Sequence, residues 1–467
     1  MKNFKNEKKR WLPRLFASVF LLTLLLATGG QSMALTDVQR LDAYYTLVST
    51  NIADGRYSDA IRYIDMCLEM SGEENIALNA DLWLKRGCML ALLDDYDGAL
   101  ADLDRALALD DTMADAQLVR TQIFAEYGDN TAAEESLAAY LALRPEDVNM
   151  FATLAEMRFA RTDFAGAAQA YTLYIQNAAD PVPESYYMRG VCSLQTGEFA
   201  AAAEDFSLVL NDEHYGLDAL YNRGVCYLQQ ALHTEALADF DAVIQAGGTI
   251  DGVFYNRGVC YMLLADYAPA IEDFKVSIET ESYVNDSLYN HAICCLGMSD
   301  FESAAIAFTA CLETGVEPEQ SQYYRAVSYM SSGAFDEAVA DYAVCIEKDV
   351  NKTESIYSRA LCLLQAERFV EAAEAFTVSI ENDIETDMSL YYRGTCYLSL
   401  GALEDAIADY TAGIKRGVML DLNYYNRSLC HLQLGDTQKA QADMEMAVGL
   451  DPQISAEPPI ESESNLP

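Results

Sequence analysis

An all-helical solenoid built from antiparallel helix pairs is the fold the sequence predicts, and three observations predict it. A residue pattern returns every 34 positions; each unit holds two stretches with apolar residues at helical spacing; and Gly and Pro are few, 25 and 10 in 467 residues. A fixed period of about 20–50 residues marks a repeat array rather than a set of separate domains. Scarce Gly and Pro argue against a loop-rich all-β or low-complexity chain.

The first 34 residues stand apart from this pattern. Lys2, Lys5, Lys8, Lys9, Arg10 and Arg14 precede an apolar run over 15–27, followed by Gly29, Gly30 and a small-x-small end, Ser32-Met33-Ala34. A basic segment, a short apolar segment and such an end describe a secretory signal peptide. The apolar run is 13 residues, against the roughly 18 or more of a spanning helix, although an uncleaved anchor is the alternative. No Cys follows the run, so a lipid anchor on cysteine is not indicated. The expected location is therefore extracytoplasmic, secreted or associated with the cell envelope.

Four looser units follow, placed at 41–74, 80–113, 114–147 and 148–182. Their marks are a turn (Gly55, Asp94-Asp95, Gly128), then an aromatic (Tyr57, Tyr96, Phe164), then a small residue (Ala60, Ala99, Ala133, Ala167), with a polar insertion at 71–75. Eight units of 34 residues then run without a gap over 183–454. Cys192, Cys226, Cys260, Cys294, Cys362, Cys396 and Cys430 keep the step, with Ser328 in the one missing place. Tyr187, Tyr221, Tyr255, Tyr289, Tyr323, Tyr357, Tyr391 and Tyr425 form a second series. Arg189, Arg223, Arg257, His291, Arg325, Arg359, Arg393 and Arg427 form a third. The count is about twelve units. In 217–250, Leu220, Tyr221, Gly224, Val225, Tyr227 and Leu228 mark the first helix and Ala236, Leu237, Phe240, Val243 and Ile244 the second. Neither helix can bury its stripe alone, so neighbours must stack into one core. Gly224 and Ala236 are expected where the two helices come closest. The final unit is more polar (Thr437, Gln438, Lys439, Gln441, Met444), as a terminal cap requires. The tail, 455–467, is rich in Pro and Glu and is expected to be disordered.

The spacing Leu220-x2-Arg223-Gly224-x2-Tyr227 with Ala236-x3-Phe240 resembles the tetratricopeptide repeat family. The pattern recurs from Phe254 to Phe274 and from Leu390 to Tyr410. Arg stands where that family usually has Leu, and the inter-repeat Pro survives only as Pro145 and Pro452. The resemblance implies a right-handed superhelix whose concave face is lined by first helices, the second, fifth, ninth, twelfth and thirteenth positions of each unit facing inward. The eight Tyr of the second series would then form a ladder on an apolar floor, edged by Glu184, Asp218, Asp286 and Glu354.

Tyrosine suits binding, because it joins a rigid apolar body to a hydroxyl. The competing reading is that these Tyr only pack neighbouring helices together, since a stacking position repeats while a ligand-reading position varies. The varied position one step on holds Asn222, Asn256, Asn290 and Asn426, with Met188, Tyr324, Ser358 and Tyr392 in the other units. These Asn and the eight Tyr are the candidate protein-binding residues. Tyr and Val occupy the places where a chaperone-tail groove would carry its carboxylate clamp, so that specificity is not supported.

Arg and Asp travel together at a spacing of sixteen: Arg86/Asp102, Arg189/Asp205, Arg223/Asp239, Arg257/Asp273, Arg325/Asp341, Arg393/Asp409 and Arg427/Asp443. Where Arg becomes His291, Asp becomes Ala307; Arg120 and Arg359 lack the Asp, though Glu374 sits beside the second empty place. A salt bridge joining the two helices of a unit is expected, since the planar guanidinium suits a carboxylate. An arginine ladder for an acidic ligand is the alternative.

Equivalent Cys in adjacent units lie at least a helix-packing distance apart, about 8–10 Å, beyond the roughly 7 Å between Cα atoms that a disulfide spans. The series is therefore expected to be packing, with Cys345–Cys362 the best remaining candidate pair. So many thiols favour a reducing or anaerobic habitat. The four His lie in different units without metal-ligand spacing. No nucleophile elbow, phosphate loop or zincin motif occurs, so neither cofactor, metal nor enzymatic activity is expected.

Lys and Arg number 30 against 73 Asp and Glu, a net charge of −43 that loss of the first 34 residues would take to −48. Nucleic acid needs cations to neutralise phosphates, and an anionic membrane needs them too, so neither is an expected partner. A protein or peptide, apolar or basic or both, is. The expected function is a protein-interaction scaffold that takes a polypeptide segment in its concave groove. The alternative is a structural, self-associating cell-envelope assembly protein without a dedicated ligand; a glycan on the Tyr ladder has only the aromatics in its favour.

Overall fold

The computed structural model describes residues 36–248 and 250–454, in two compact units that divide between Cys226 and Tyr227. The expected signal segment and acidic tail lie outside the described residues. Among the described residues there are twenty-four helices and no strand, which fits about twelve helix pairs. None of these helices is long and apolar enough to cross a membrane.

The first unit holds α1 (Asp37–Ala53), α2 (Tyr57–Ser71), α3 (Ile76–Leu92), α4 (Tyr96–Leu109), α5 (Ala114–Tyr127), α6 (Asn130–Leu143), α7 (Asn149–Ala160), α8 (Phe164–Asn177), α9 (Pro183–Gln195) and α10 (Phe199–Leu208), and the division falls inside α11 (Gly216–Gln229). Thr36 opens the array with a reciprocal capping box to Gln39. Asp95, Asp129 and Asp163 cap second helices by accepting from the third backbone N–H. From α1 to α10 each helix packs against the next in the chain. Apolar stripes meet in successive cores: Val48, Ile64 and Leu82; Leu103 and Ile123; then Leu137, Leu154, Tyr171 and Cys192.

The second unit holds α12 (His233–Gln245), α13 (Val253–Leu263), α14 (Tyr267–Glu279), α15 (Val284–Gly297), α16 (Phe301–Thr314), α17 (Pro318–Ser332), α18 (Phe335–Glu347), α19 (Lys352–Gln365), α20 (Phe369–Glu381), α21 (Thr386–Ser399), α22 (Leu403–Arg416), α23 (Leu420–Gln433) and α24 (Thr437–Leu450). Each again packs on its chain neighbour. The turn inside each pair places one residue in the left-handed region: Ala231, Ala265, Ser299, Gly333, Glu367, Gly401 and Gly435, at φ 56° to 82°. Glycine is free there; the others carry a cost of about 1–2 kcal/mol. The turns between pairs use two such residues, as in Asp349 and Asn351 or Asp383 and Glu385. A buried polar side chain ties each turn down: Ser321 Oγ donates to the Val316 carbonyl at 2.9 Å, Ser355 to Val350 at 3.1 Å and Ser389 to Ile384 at 3.2 Å.

The helices of a pair approach through glycine, but what they make room for is a ring. Gly224 and Ala236 lie in different units; the equivalent residues show the contact. A Cβ on Gly258 would meet the Phe274 ring at 2.9 Å, one on Gly394 the Tyr410 ring at 2.9 Å and, in the first unit, one on Gly190 the Phe206 ring at 2.9 Å. These rings are fully buried.

Six of the seven expected Arg–Asp pairs form, each bidentate: Nε and Nη2 of Arg86, Arg189, Arg257, Arg325, Arg393 and Arg427 donate to the two oxygens of the Asp sixteen residues on, at 2.6–2.9 Å. The seventh, Arg223/Asp239, spans the two units. The third corner of the guanidinium reaches the preceding second helix. Nη1 donates to Thr309 at 3.1 Å from Arg325, to Thr377 at 3.0 Å from Arg393, to Thr411 at 2.9 Å from Arg427 and to Asp241 at 2.8 Å from Arg257. One fork thus ties three helices. Arg120 meets only Asp104, at 3.2 Å.

All twelve cysteines are free; eleven are buried and Cys88 is half-buried. Burial pushes the Cys260, Cys362 and Cys396 thiols up to about 12, and those of Cys192 and Cys345 up to about 11. They sit protonated in the core as small apolar groups.

Candidate protein-interaction surface

First helices approach one another directly: α3 meets α5 in the first unit, and α13 meets α15, α19 meets α21 and α21 meets α23 in the second. Their shared face carries the fifth-position tyrosines. Each ring leans on the aromatic of its own second helix: Tyr187 on Phe206, Tyr255 on Phe274, Tyr289 on Phe308, Tyr323 on Tyr342, Tyr357 on Phe376 and Tyr391 on Tyr410, with centroids 5.7–6.3 Å apart. Tyr187, Tyr221, Tyr255, Tyr289, Tyr323, Tyr357 and Tyr425 are half-buried; Tyr391 is buried.

The varied position takes one of two parts. As Asn it holds the preceding tyrosine: Asn222 Nδ2 donates to the Tyr187 hydroxyl at 3.2 Å and Asn426 Nδ2 to the Tyr391 hydroxyl at 3.2 Å. Asn290 bonds Tyr255 in the same way. Tyr221 and Asn256 lie in different units. As Tyr it stacks instead on the preceding second-helix ring, Tyr324 on Phe308 and Tyr392 on Phe376, at 5.8 and 5.7 Å with planes 24° apart. Tyr and Asn positions are therefore coupled, each Asn fixing the hydroxyl of the unit before it. An oxygen that accepts from Asn keeps its own proton to donate.

Burial, and after it the nearby Asp218, raises the Tyr187 phenol above its ordinary value; burial and then Asp286 do the same for Tyr255, and burial and then Tyr392 push Tyr357 up to about 12. The ladder is thus neutral at physiological pH, with acids beside it. In the first unit, burial and the neighbouring Glu184 raise Glu156. The cause is the usual one: a carboxylate losing water and facing a like charge favours its proton.

Two exposed partners of the ladder escaped the sequence reading. Tyr215 stacks on Tyr187 at 4.9 Å and Tyr283 on Tyr255 at 4.7 Å with planes 7° apart. Both stand in the turn before a first helix, and they keep a 34-residue step of 68 between them, but no aromatic occupies that place in the other units. In the first unit Trp83 also lies between two guanidinium groups, Arg86 at 4.4 Å and Arg105 at 4.8 Å.

The tetratricopeptide repeat family matches this chain at residues 45–114, 210–249 and 423–454. The chain thus carries tetratricopeptide repeats, in a helical solenoid. No curated protein matches it. Among solved structures it is similar to the Naa15/Naa10 complex bound to HypK-THB, at 13% identity over 87% of this chain and 68% of that chain, TM-score 0.44. It is also similar to a tetratricopeptide repeat protein from Parabacteroides merdae, at 18% identity over 54% of this chain and 98% of that one, TM-score 0.36. YrrB, described as having an unusual peptide-binding site, is 22% identical over 37% of this chain and 88% of that one, TM-score 0.30.

Proposed function

We propose that the protein is an exported, non-catalytic interaction scaffold whose first-helix face takes up a polypeptide segment that is apolar and basic. The observation that carries this reading is the neutral tyrosine ladder set among acids: each hydroxyl near Asp218 or Asp286 is a donor beside a carboxylate. Backbone carbonyls suit the hydroxyls, aromatic faces suit apolar side chains, and Lys or Arg suit both the acids and the rings. The net charge of −43 steers such a segment in from a distance. Selection of a displayed library of 12-residue peptides tests it. Enriched peptides should be rich in Lys, Arg and aromatics, and their affinity should fall as salt rises. Unenriched composition, or affinity indifferent to salt, contradicts the reading.

Export rests on the residues of the first 34 positions, and a protein recovered outside the cytoplasm with its N-terminus at Leu35 supports it. Recovery in the cytoplasm with Met1 intact contradicts it.

A second reading, self-association, is favoured by apolar groups standing in solvent on second helices of the second unit. Ile306 is 73% exposed and Val370 57%, and Ile306 lines a cleft of about 580 Å³ with Glu302, Thr309 and Tyr329. Light scattering after size exclusion separates the two readings, since a monomer at all concentrations leaves only the binding one.

A further inference from the structure

Arg359, in α19, is the one arginine of its series in the second unit whose two acceptors have both been replaced. Its siblings Arg257, Arg325, Arg393 and Arg427 each hold a carboxylate across Nε and Nη2 and a hydroxyl or carboxylate at Nη1. For Arg359 the corresponding residues are Ala375 and Ala343. Its Nε is buried and has no hydrogen-bond partner, and no ion pair forms to it among the described residues. Neither nearby acid takes the place. Glu371 is held by both nitrogens of Arg368, at 2.8 and 2.6 Å, and Glu374 points into solvent.

The chain handles a lost Asp differently elsewhere. Where Ala307 stands in place of Asp, the first-helix cation is gone as well, replaced by His291. Losing both removes the unpaired charge; at Arg359 the charge stays. A half-buried guanidinium with a buried unbonded Nε carries a desolvation penalty that a ligand would relieve.

We propose that Arg359 is a carboxylate-binding site, with the ligand accepting from Nε and Nη2 in the plane where its siblings hold Asp. Four copies of the same fork in the same unit show what it accepts, a planar carboxylate rather than a spherical anion. Removing the Asp carboxylate by way of Ala375 leaves the fork itself unchanged. The way in is on the side of Ala343, which is exposed. The 34-residue register puts Ala343 where Thr309 lines the open cleft of the preceding pair. The carboxylate is either a small free acid or the side chain of a bound polypeptide, and the two share one chemistry at the guanidinium.

Arginine side-chain NMR of the purified protein, labelled with nitrogen-15 arginine, tests the site, the Arg359 Nε–H being assigned by its loss in Arg359→Lys. The probes are sodium formate and N-acetyl-aspartyl amide, each against sodium chloride at equal ionic strength. Saturable movement of the Arg359 signal toward those of Arg325 and Arg393 is expected, while the signals of the paired arginines stay still. In Ala375→Asp the signal should already stand there and formate affinity should fall at least tenfold. Saturation by formate alone supports a small free acid; saturation by both supports a side chain as ligand. No saturation by either probe, or identical titrations of the natural protein and Ala375→Asp, overturns the proposal. The folded state of both variants is read from the unmoved signals of the sibling arginines.

Discussion

Asp273→Ala is the sharpest perturbation of the arginine forks. In the natural protein Arg257 Nε donates to Asp273 Oδ2 at 2.7 Å and Nη2 to Oδ1 at 2.6 Å. The Asp side chain is 5% exposed and the Arg side chain 20%. Breaking a buried pair by removing one partner costs about 3–5 kcal/mol. Solvent at the guanidinium and the surviving Nη1 bond to Asp241 lower this to about 2–4 kcal/mol. The internal control is Lys275–Glu272, also close at 2.8 Å but 50% and 72% exposed, for which Glu272→Ala should cost no more than about 1 kcal/mol. Replacing both fork members with apolar residues, as Arg257→Met with Asp273→Leu, should cost much less than Asp273→Ala alone, because no charge is left stranded. Urea unfolding followed by circular dichroism measures all four. A loss below about 1 kcal/mol for Asp273→Ala, or a double variant as weak as the single one, would refute the reasoning that the fork ties the helices together.

Gly258→Ala puts a methyl 2.9 Å from the buried Phe274 ring; overpacking of about 1–3 kcal/mol outweighs a helix-propensity gain of about 1 kcal/mol, so the unfolding midpoint should fall. Ala265→Gly relieves a φ of 59° and should be neutral or stabilising by up to about 1 kcal/mol, in the same assay. Maleimide labelling of the native protein should be slow at the eleven buried thiols and fastest at Cys88, with all twelve reacting in urea. Stability should also decline from about pH 9 upward. Buried thiols raised to about 11–12 and Tyr357 to about 12 stay protonated in the folded chain while the unfolded chain gives up its protons first. Their contribution is complete below the unfolded values and is lost as pH climbs through the folded ones; a flat profile from pH 8 to 11 would contradict it.

Much of the fold was legible because a repeat displays its own constraints. The step between Cys260 and Cys294 located a buried place, and the joint loss of Arg and Asp at His291 and Ala307 located a contact without any coordinates. What escaped notice was carried by residues too ordinary to stand out singly. Thr309, Thr377 and Thr411 accept the third guanidinium corner, yet Thr on a helix reads as surface. Ser321, Ser355 and Ser389 are fully buried because each satisfies a turn carbonyl. The ring above each glycine was hidden for another reason: the pattern names the small residue, whereas packing depends on what fills the space it leaves. At the candidate surface the residue types were readable but their coupling was not, since Asn222 acts on Tyr187 of the previous pair. Long-range pairing of that kind depends on the register of neighbouring first helices, which one unit of sequence does not contain.

The most direct test of the scaffold account is the affinity of a library-selected basic peptide for the natural protein and for a variant with Tyr283→Asn and Asp286→Asn. Tyr283 is 48% exposed and stacks on Tyr255, and its left-handed backbone, φ 49°, is one that Asn tolerates, so the variant should remain folded. Fluorescence anisotropy should show at least tenfold weaker binding to the variant and a smaller dependence on salt. Equal affinity with an unchanged salt dependence would contradict the claim that the tyrosine-and-acid face is where the protein holds its partner.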